Sequence, residues 1–373
     1  MLWSYVALIV AVLSMSAGGL WFALLPESPP LMKAFWRLFL TAVLQCAGFF
    51  HQSRGLPPEF WSRYRSSAGK LLVIGLSLGA HFGAWGWSVD HTSLAHSLLL
   101  VWTTPLLMVA LMLARAVLHS RGVWVELGEA PGAPPPKPLG PTVHETCGAV
   151  LGFAGVAMLL ASGAERSNEV AVSLAGDAAA LLGAAAIIPY LEGGANLRAW
   201  MPLFVYALPV TLGAAVWLGL ASLLLEGNLG ATVGGVGPAS LFGFLGSPRR
   251  FGLSFGAALV SGILGHTLVN LALKHLSPLL ISVSCLWEPL LGGVLGYLVG
   301  VQGPPSVITA VAAPLILLGG ALVTLGARKP EASPQQLSPE AAPQQQPEHQ
   351  ADPEEATQGS LSPSAGETQK ETL

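Results

Sequence analysis

Apolar residues run along this chain in long blocks, without the half-polar stripe of a soluble helix or strand. The blocks cover residues 3–25, 31–50, 70–88, 94–114, 143–163, 172–194, 202–225, 252–273, 278–300 and 306–327. A helix rises about 1.5 Å per residue, so about 20 apolar residues cross a hydrocarbon core about 30 Å thick. Each block meets that length, and the pattern predicts an all-α membrane protein with ten transmembrane helices. Pro26 and the Pro29-Pro30 pair stop the first block. A signal peptide with Ser16-Ala17-Gly18 as its cleavage site is the competing reading there. The block lacks a basic leader and is long, so a retained helix is expected.

Between the blocks, two connections exceed what a turn needs. Residues 115–142 contain Ala133-Pro134-Pro135-Pro136-Lys137-Pro138 and read as an irregular linker. Residues 226–251 are rich in glycine and end in Leu241-Phe242-Gly243-Phe244-Leu245, the composition of a short interfacial or re-entrant element. After Lys329 the chain turns to Pro, Gln, Glu and Ser. Such a tail buries too little surface to offset its chain entropy and is expected to be disordered.

Composition and charge add orientation. Only 10% of residues are charged, against roughly 25% in soluble proteins. Lysines and arginines are scattered among short loops, which excludes a nucleic-acid-binding stripe. With the N-terminus in the cytosol, the inside loops hold Arg54, Arg63, Arg65, Lys70, Arg115, Arg121, Lys137, Arg198, Lys274, Arg328 and Lys329, and the outside ones Lys33, Arg166, Arg249 and Arg250. Leaving out Lys370 and the intramembrane Arg37, that is eleven against four, a positive-inside bias placing both termini in the cytosol. No glycosylation sequon and no retention signal refines the location, so either the plasma membrane or an endomembrane fits. Cys46, Cys147 and Cys285 are too far apart for a disulfide framework or zinc site and read as buried structural thiols.

Residues 86–114 and 270–298 read as one unit occurring twice. At an offset of 184, His91 falls on His275, Ser93 on Ser277, Pro105 on Pro289, and Leu106, Leu107 and Leu111 on Leu290, Leu291 and Leu295. The block before each carries small-residue ridges, Gly75, Gly79 and Gly83 in one and Gly252 and Gly256 in the other, of the kind that let helices approach closely in lipid. Gly292, Gly296 and Gly300 suggest a further ridge. Five spans per half is an odd number, so the second half must enter the membrane the other way up. Two inverted five-helix repeats are therefore expected, with a substrate site near the midplane between them. The paired turns agree, with Asp90 on one side and Lys274 on the other.

With Arg37 early in the second span, Thr92-Ser93 separated by eleven residues from Pro105, Gly176-Asp177 opening the sixth span, Ser282 separated by five residues from Glu288-Pro289 and Leu318-Gly319-Gly320-Ala321-Leu322 ending the tenth, the chain resembles the EamA-like branch of the drug/metabolite transporter superfamily. The resemblance spans about residues 3–327 and implies transport of small polar metabolites through a central cavity by alternating access. It divides the chain into a first repeat at 1–164, containing the linker 115–142, a second at 165–329, containing the outer loop 226–251, and the tail at 330–373. The acidic residue that often follows the ninth span is here replaced by Val301-Gln302-Gly303.

Glu288 is the leading site candidate. It falls about ten residues into its block, near the midplane, where an ionised carboxylate is costly unless paired or hydrated. Two readings stay open: a proton-coupling or cation-binding group, and a protonated side chain bonding a backbone carbonyl freed by Pro289. Arg37 either snorkels to the headgroups or anchors a substrate carboxylate or phosphate with its bidentate fork. His81 and His266 occupy nearly equivalent places, as structural histidines or as a pair that binds substrate or relays protons. Trp85, Trp102 and Trp287 either belong to interfacial belts or wall an aromatic pocket. Thr103, Thr104 and Asn270 are hydrogen-bonding groups for substrate or for interhelical contacts. Asp177 and Glu192 read as solvated at the interface.

The expected function is secondary transport of a small organic metabolite, proton-coupled or exchanging, with an intramembrane enzyme or receptor-like scaffold as the alternative. There is no G-x-x-x-x-G-K-[ST] or H-E-x-x-H motif. No metal, cofactor or nucleic acid is expected. The expected partners are a small-molecule substrate and the lipid bilayer, with a homodimer left open.

Overall fold

Serine and proline set where several helices begin. Ser247 and Ser277 each stand in extended backbone before a proline and accept a hydrogen bond from the amide three residues on, Arg250 and Leu280 respectively. This N-cap followed by a proline in the first turn supplies what helix starts need. The computed structural model describes residues 2–92, 94–121, 140–161, 173–226, 233–300 and 307–327, and every regular element among them is helical. Ser93, linker residues 122–139, Arg166, loop residues 227–232, Val301-Gln302-Gly303 and the tail from Arg328 lie outside these. Residues 1–330 form one unit, and 331–373 a second that falls wholly outside the described residues.

The helices are α1 (Leu2–Met15), α2 (Gly18–Ala23), α3 (Pro30–Ser53), α4 (Pro58–Ser66), α5 (Ala68–His91), α6 (Leu94–Val101), α7 (Thr104–Ser120), α8 (Val143–Ala161), α9 (Leu174–Arg198), α10 (Leu203–Leu225), α11 (Pro248–Ala257), α12 (Leu268–Ala272), α13 (Pro278–Ser284), α14 (Glu288–Leu298) and α15 (Val307–Gly326). A π-helical stretch, Ala258–Thr267, joins α11 to α12, and a 3-10 turn, Cys285–Trp287, joins α13 to α14. Among the described residues, seven segments are long and apolar enough to cross a membrane: Leu2–Phe22, Ala68–Ser88, Ser97–Ser120, Leu174–Arg198, Leu203–Leu225, Pro248–Ala272 and Pro278–Leu298. That fits a multi-pass integral membrane protein. The other three predicted spans differ for plain reasons. Helix α3 has the length, at 24 residues, but carries Lys33, Arg37, Gln45, His51 and Gln52, while Val143–Met158 and Ala310–Gly326 are apolar and shorter.

The bundle is held by close helix crossings: α8 on α15, α5 on α9, α3 and α5 on α10, and α1 on the π-helical stretch and α12. Glycine makes several of these possible. A Cβ at Gly319 would stand 2.7 Å from the Gly148 carbonyl oxygen, and one at Gly75 or Gly79 would meet the Val210 or Ala214 carbonyl at 3.1 or 3.2 Å. The predicted later ridges hold only in part. Gly256 packs under Trp21 and Gly292 under the Ser16 carbonyl, but Gly252 has nothing near it. Gly300 ends its helix at φ 77 in open space, a conformation that suits glycine.

The described part of loop 226–251 docks on the bundle. The indole of Trp36 donates to the Ser240 and Leu241 carbonyls at 3.2 and 3.0 Å, and Phe244 packs edge-on against the same ring. Glu226, at the loop's start, accepts from the Leu31 and Met32 amides at 2.6 and 3.0 Å. Its carboxylate thus serves the N-terminus of α3, where the helix dipole favours negative charge.

Replacing Glu226 by alanine removes that cap and is expected to cost about 1–2 kcal/mol, read as a lower unfolding temperature of the purified protein in detergent. Gly319→Val forces two backbones apart and is expected to cost at least as much, about 1–3 kcal/mol, by the same measurement.

Candidate functional site

Four of the spans are interrupted. The first bends at Ser16-Ala17, between α1 and α2; another breaks at Trp102-Thr103, between α6 and α7; a third passes through the π-helical stretch; a fourth passes through Cys285–Trp287. Two of these breaks lie just before Pro105 and Pro289. Pro289 sits in the first turn of α14, a position that proline tolerates. Pro105 stands likewise in the first turn of α7. Side-chain hydroxyls serve the backbone at the breaks: Ser16 donates to the Val12 carbonyl, Thr103 to Leu100, Thr104 to Val101 and Thr267 to Gly262.

Around these breaks the helices bring Arg37, His81, His266, Asn270 and Glu288 together with Tyr190, Phe82 and Cys285. Arg37 is 5% exposed and turned into the bundle, which settles its orientation against snorkelling. One Nη donates to the Ser261 carbonyl at 3.4 Å, and the guanidinium lies 4.9 Å from the Phe82 ring centre. Phe82 in turn meets His266 edge-on at 5.2 Å. His81 shares its Nδ1 with the Gly183 carbonyl at 2.9 Å. The Tyr190 hydroxyl donates to Asn270 Oδ1 at 3.0 Å. The Cys285 thiol bonds the Glu288 carboxyl one turn on, and Glu288, Tyr190, His81 and His266 all interact electrostatically with Arg37.

Several polar atoms here lack partners. Arg37 Nε, His266 Nδ1 and Glu288 Oε1 are buried without a hydrogen bond, as are the indole nitrogens of Trp21, Trp85 and Trp102. Such orphans are costly to leave. His81, Trp85, His266 and Glu288 are nevertheless only partly buried.

The remaining predicted residues are placed differently. Thr104 spends its hydroxyl on the Val101 and Ala184 carbonyls. Trp102 and Trp287 lie at two of the helix breaks and pack against the main apolar core. Trp85 meets Phe22 edge-on at 6.2 Å. Asp177 accepts from the Thr92 hydroxyl, tying α9 to the end of α5. Glu192, expected to be solvated, forms a two-pronged ion pair with Arg115 at 2.7 and 2.8 Å. Arg198, expected in a loop, is 3% exposed and donates to the Asn270 and Met201 carbonyls. In the predicted basic turn, burial and then Lys274 push the His275 imidazole below its usual range, leaving Lys274 to supply the charge. Among the described residues no three His, Cys, Asp or Glu side chains are grouped so as to hold a metal ion.

Sequence reasoning passed over Tyr190, Phe82 and the role of Cys285. The available signals were Pro189 beside Tyr190 within a span, and the one-turn spacing of Cys285 and Glu288.

No family model and no curated protein matches the sequence. A crystal structure of a protein 20% identical to this chain superposes with a TM-score of 0.62, covering 87% of this chain and 98% of that one. A likeness at that identity concerns the fold alone.

Tyr190→Phe removes the donor to Asn270 and leaves a buried amide oxygen unpaired. The expected loss is about 1–3 kcal/mol of stability, measured by thermal unfolding in detergent against a Tyr190→Phe/Asn270→Leu double variant that removes both partners.

Proposed function

We propose that this chain is a secondary transporter of a small organic solute, working by alternating access as an EamA-like carrier of ten spans in two inverted repeats. The observation that carries the reading is the group of orphaned buried polar atoms, Arg37 Nε, His266 Nδ1 and Glu288 Oε1, gathered where spans are interrupted. Discontinuous spans around a polar midplane site are how secondary carriers hold a solute in lipid.

The repeat reading has its own support. Helix α7 begins at Thr104 and α14 at Glu288, 184 positions apart, each with proline in its first turn. Packing follows the same exchange of halves. The crossing of α5 on α9 has a counterpart in α1 on the π-helical stretch and α12, and that of α5 on α10 has one in α3 on the same stretch. The crossings of α3 on α10 and α8 on α15 join equivalent spans. With Arg198 buried, ten inside charges stand against four, which still supports cytosolic termini.

Counterflow of a labelled metabolite mixture into proteoliposomes tests the reading. Flux is the expected result, and turnover of a lipid or peptide without flux would favour an intramembrane enzyme instead. In the same assay Glu288→Gln is expected to reduce proton-driven uptake about tenfold or more. An unchanged rate and pH dependence would remove Glu288 from coupling.

A further inference from the structure

The charge balance around Arg37 narrows the solute class, given the transport reading above. Arg37 remains cationic at any physiological pH. Its fork is only partly used. Of its nitrogens, Nη2 reaches a backbone carbonyl at 3.4 Å and Nε has no partner. Nη1 lies toward the bend at Gly18, where a Cβ would come to 3.8 Å and the glycine leaves room. Among the described residues no carboxylate forms a direct ion pair with it, although Glu288 interacts with it across the site.

The charged and titratable groups that face Glu288 or Arg37 are Cys285 on the same span as Glu288, His81 on α5, Tyr190 on α9 and His266 on the π-helical stretch. With thiol, phenol and imidazoles neutral and Glu288 ionised, the empty site balances one fixed positive charge against one exchangeable negative charge. Net charge is expensive in this setting. A cation would leave the loaded site positive beside a fixed guanidinium. A neutral solute would leave that guanidinium without a counter-charge in contact. A monoanion fits the unfilled fork, for which guanidinium geometry is suited. The loaded site then returns to zero net charge when Glu288 holds one proton.

We propose that the solute is a small organic monocarboxylate held by Arg37, and that Glu288 takes up one proton for each anion bound, so that transport is electroneutral carboxylate–proton symport. The proton enters Glu288 from the side where the anion binds and leaves with it on the other. No covalent bond changes.

The test uses the full-length protein in proteoliposomes that enclose a pH-sensitive dye, with the membrane potential clamped by valinomycin and potassium. Labelled lactate, pyruvate and glycolate are compared with choline, alanine and glucose. At least one carboxylate is expected to enter with internal acidification, at a rate indifferent to potential. Arg37→Lys is expected to raise its KM about tenfold, because the ammonium lacks the fork. Glu288→Gln is expected to keep carboxylate-for-carboxylate exchange, which also shows that it is folded, while losing proton-driven net uptake. Carboxylate uptake that carries current overturns the coupling. Flux of choline, alanine or glucose with none of the carboxylates overturns the solute class and leaves the transport reading standing. Absence of flux for all six overturns both.

Discussion

In lipid every backbone amide and carbonyl must be satisfied inside the protein, and this chain interrupts four of its spans all the same. The rest of the structure depends on how that tension is met. At each break a hydroxyl reaches back to a carbonyl: Ser16, Thr103, Thr104, Thr267 and Ser284 each bond the backbone three to five residues before them. Prolines 105 and 289 stand in first turns, where proline is tolerated. The backbone is thus repaired locally, and the side chains at the breaks are free to face one another.

What they face is a small number of polar groups that the bundle brings in from separate helices. Arg37 comes from α3, His81 from α5, Tyr190 from α9, His266 from the π-helical stretch and Glu288 from α14. Away from this centre several charged and polar groups are spent on cohesion. Glu226 serves the start of α3, Thr92 reaches Asp177, Arg115 grips Glu192, and Arg198 braces two carbonyls. The contrast is physical. A peripheral charge is given a partner from the protein, whereas Arg37, His266 and Glu288 each keep an atom without one.

Close approach makes the arrangement possible. Gly148, Gly152 and Gly319 bring α8 and α15 into backbone contact, and Gly262 lets the π-helical stretch settle against Thr41 on α3. That places the Ser261 carbonyl within reach of Arg37. A wider residue at these crossings would separate the helices and with them the polar groups they carry.

The sequence by itself determined the helical blocks, their apolar character and the two prolines, because helix length in a bilayer follows from composition alone. It also marked Arg37, the two histidines and Glu288, since polar groups inside apolar blocks stand out. It left the bend at Ser16-Ala17 and the π-helical stretch unseen, because a π-helical stretch has the same composition as the helix around it. The direction of Arg37, the bond from Cys285 to Glu288, the pairing of Tyr190 with Asn270 and the burial of Arg198 were decided only by the tertiary structure. Each of these depends on which face of one helix meets which face of another, and apolar blocks without a polar stripe do not encode their faces.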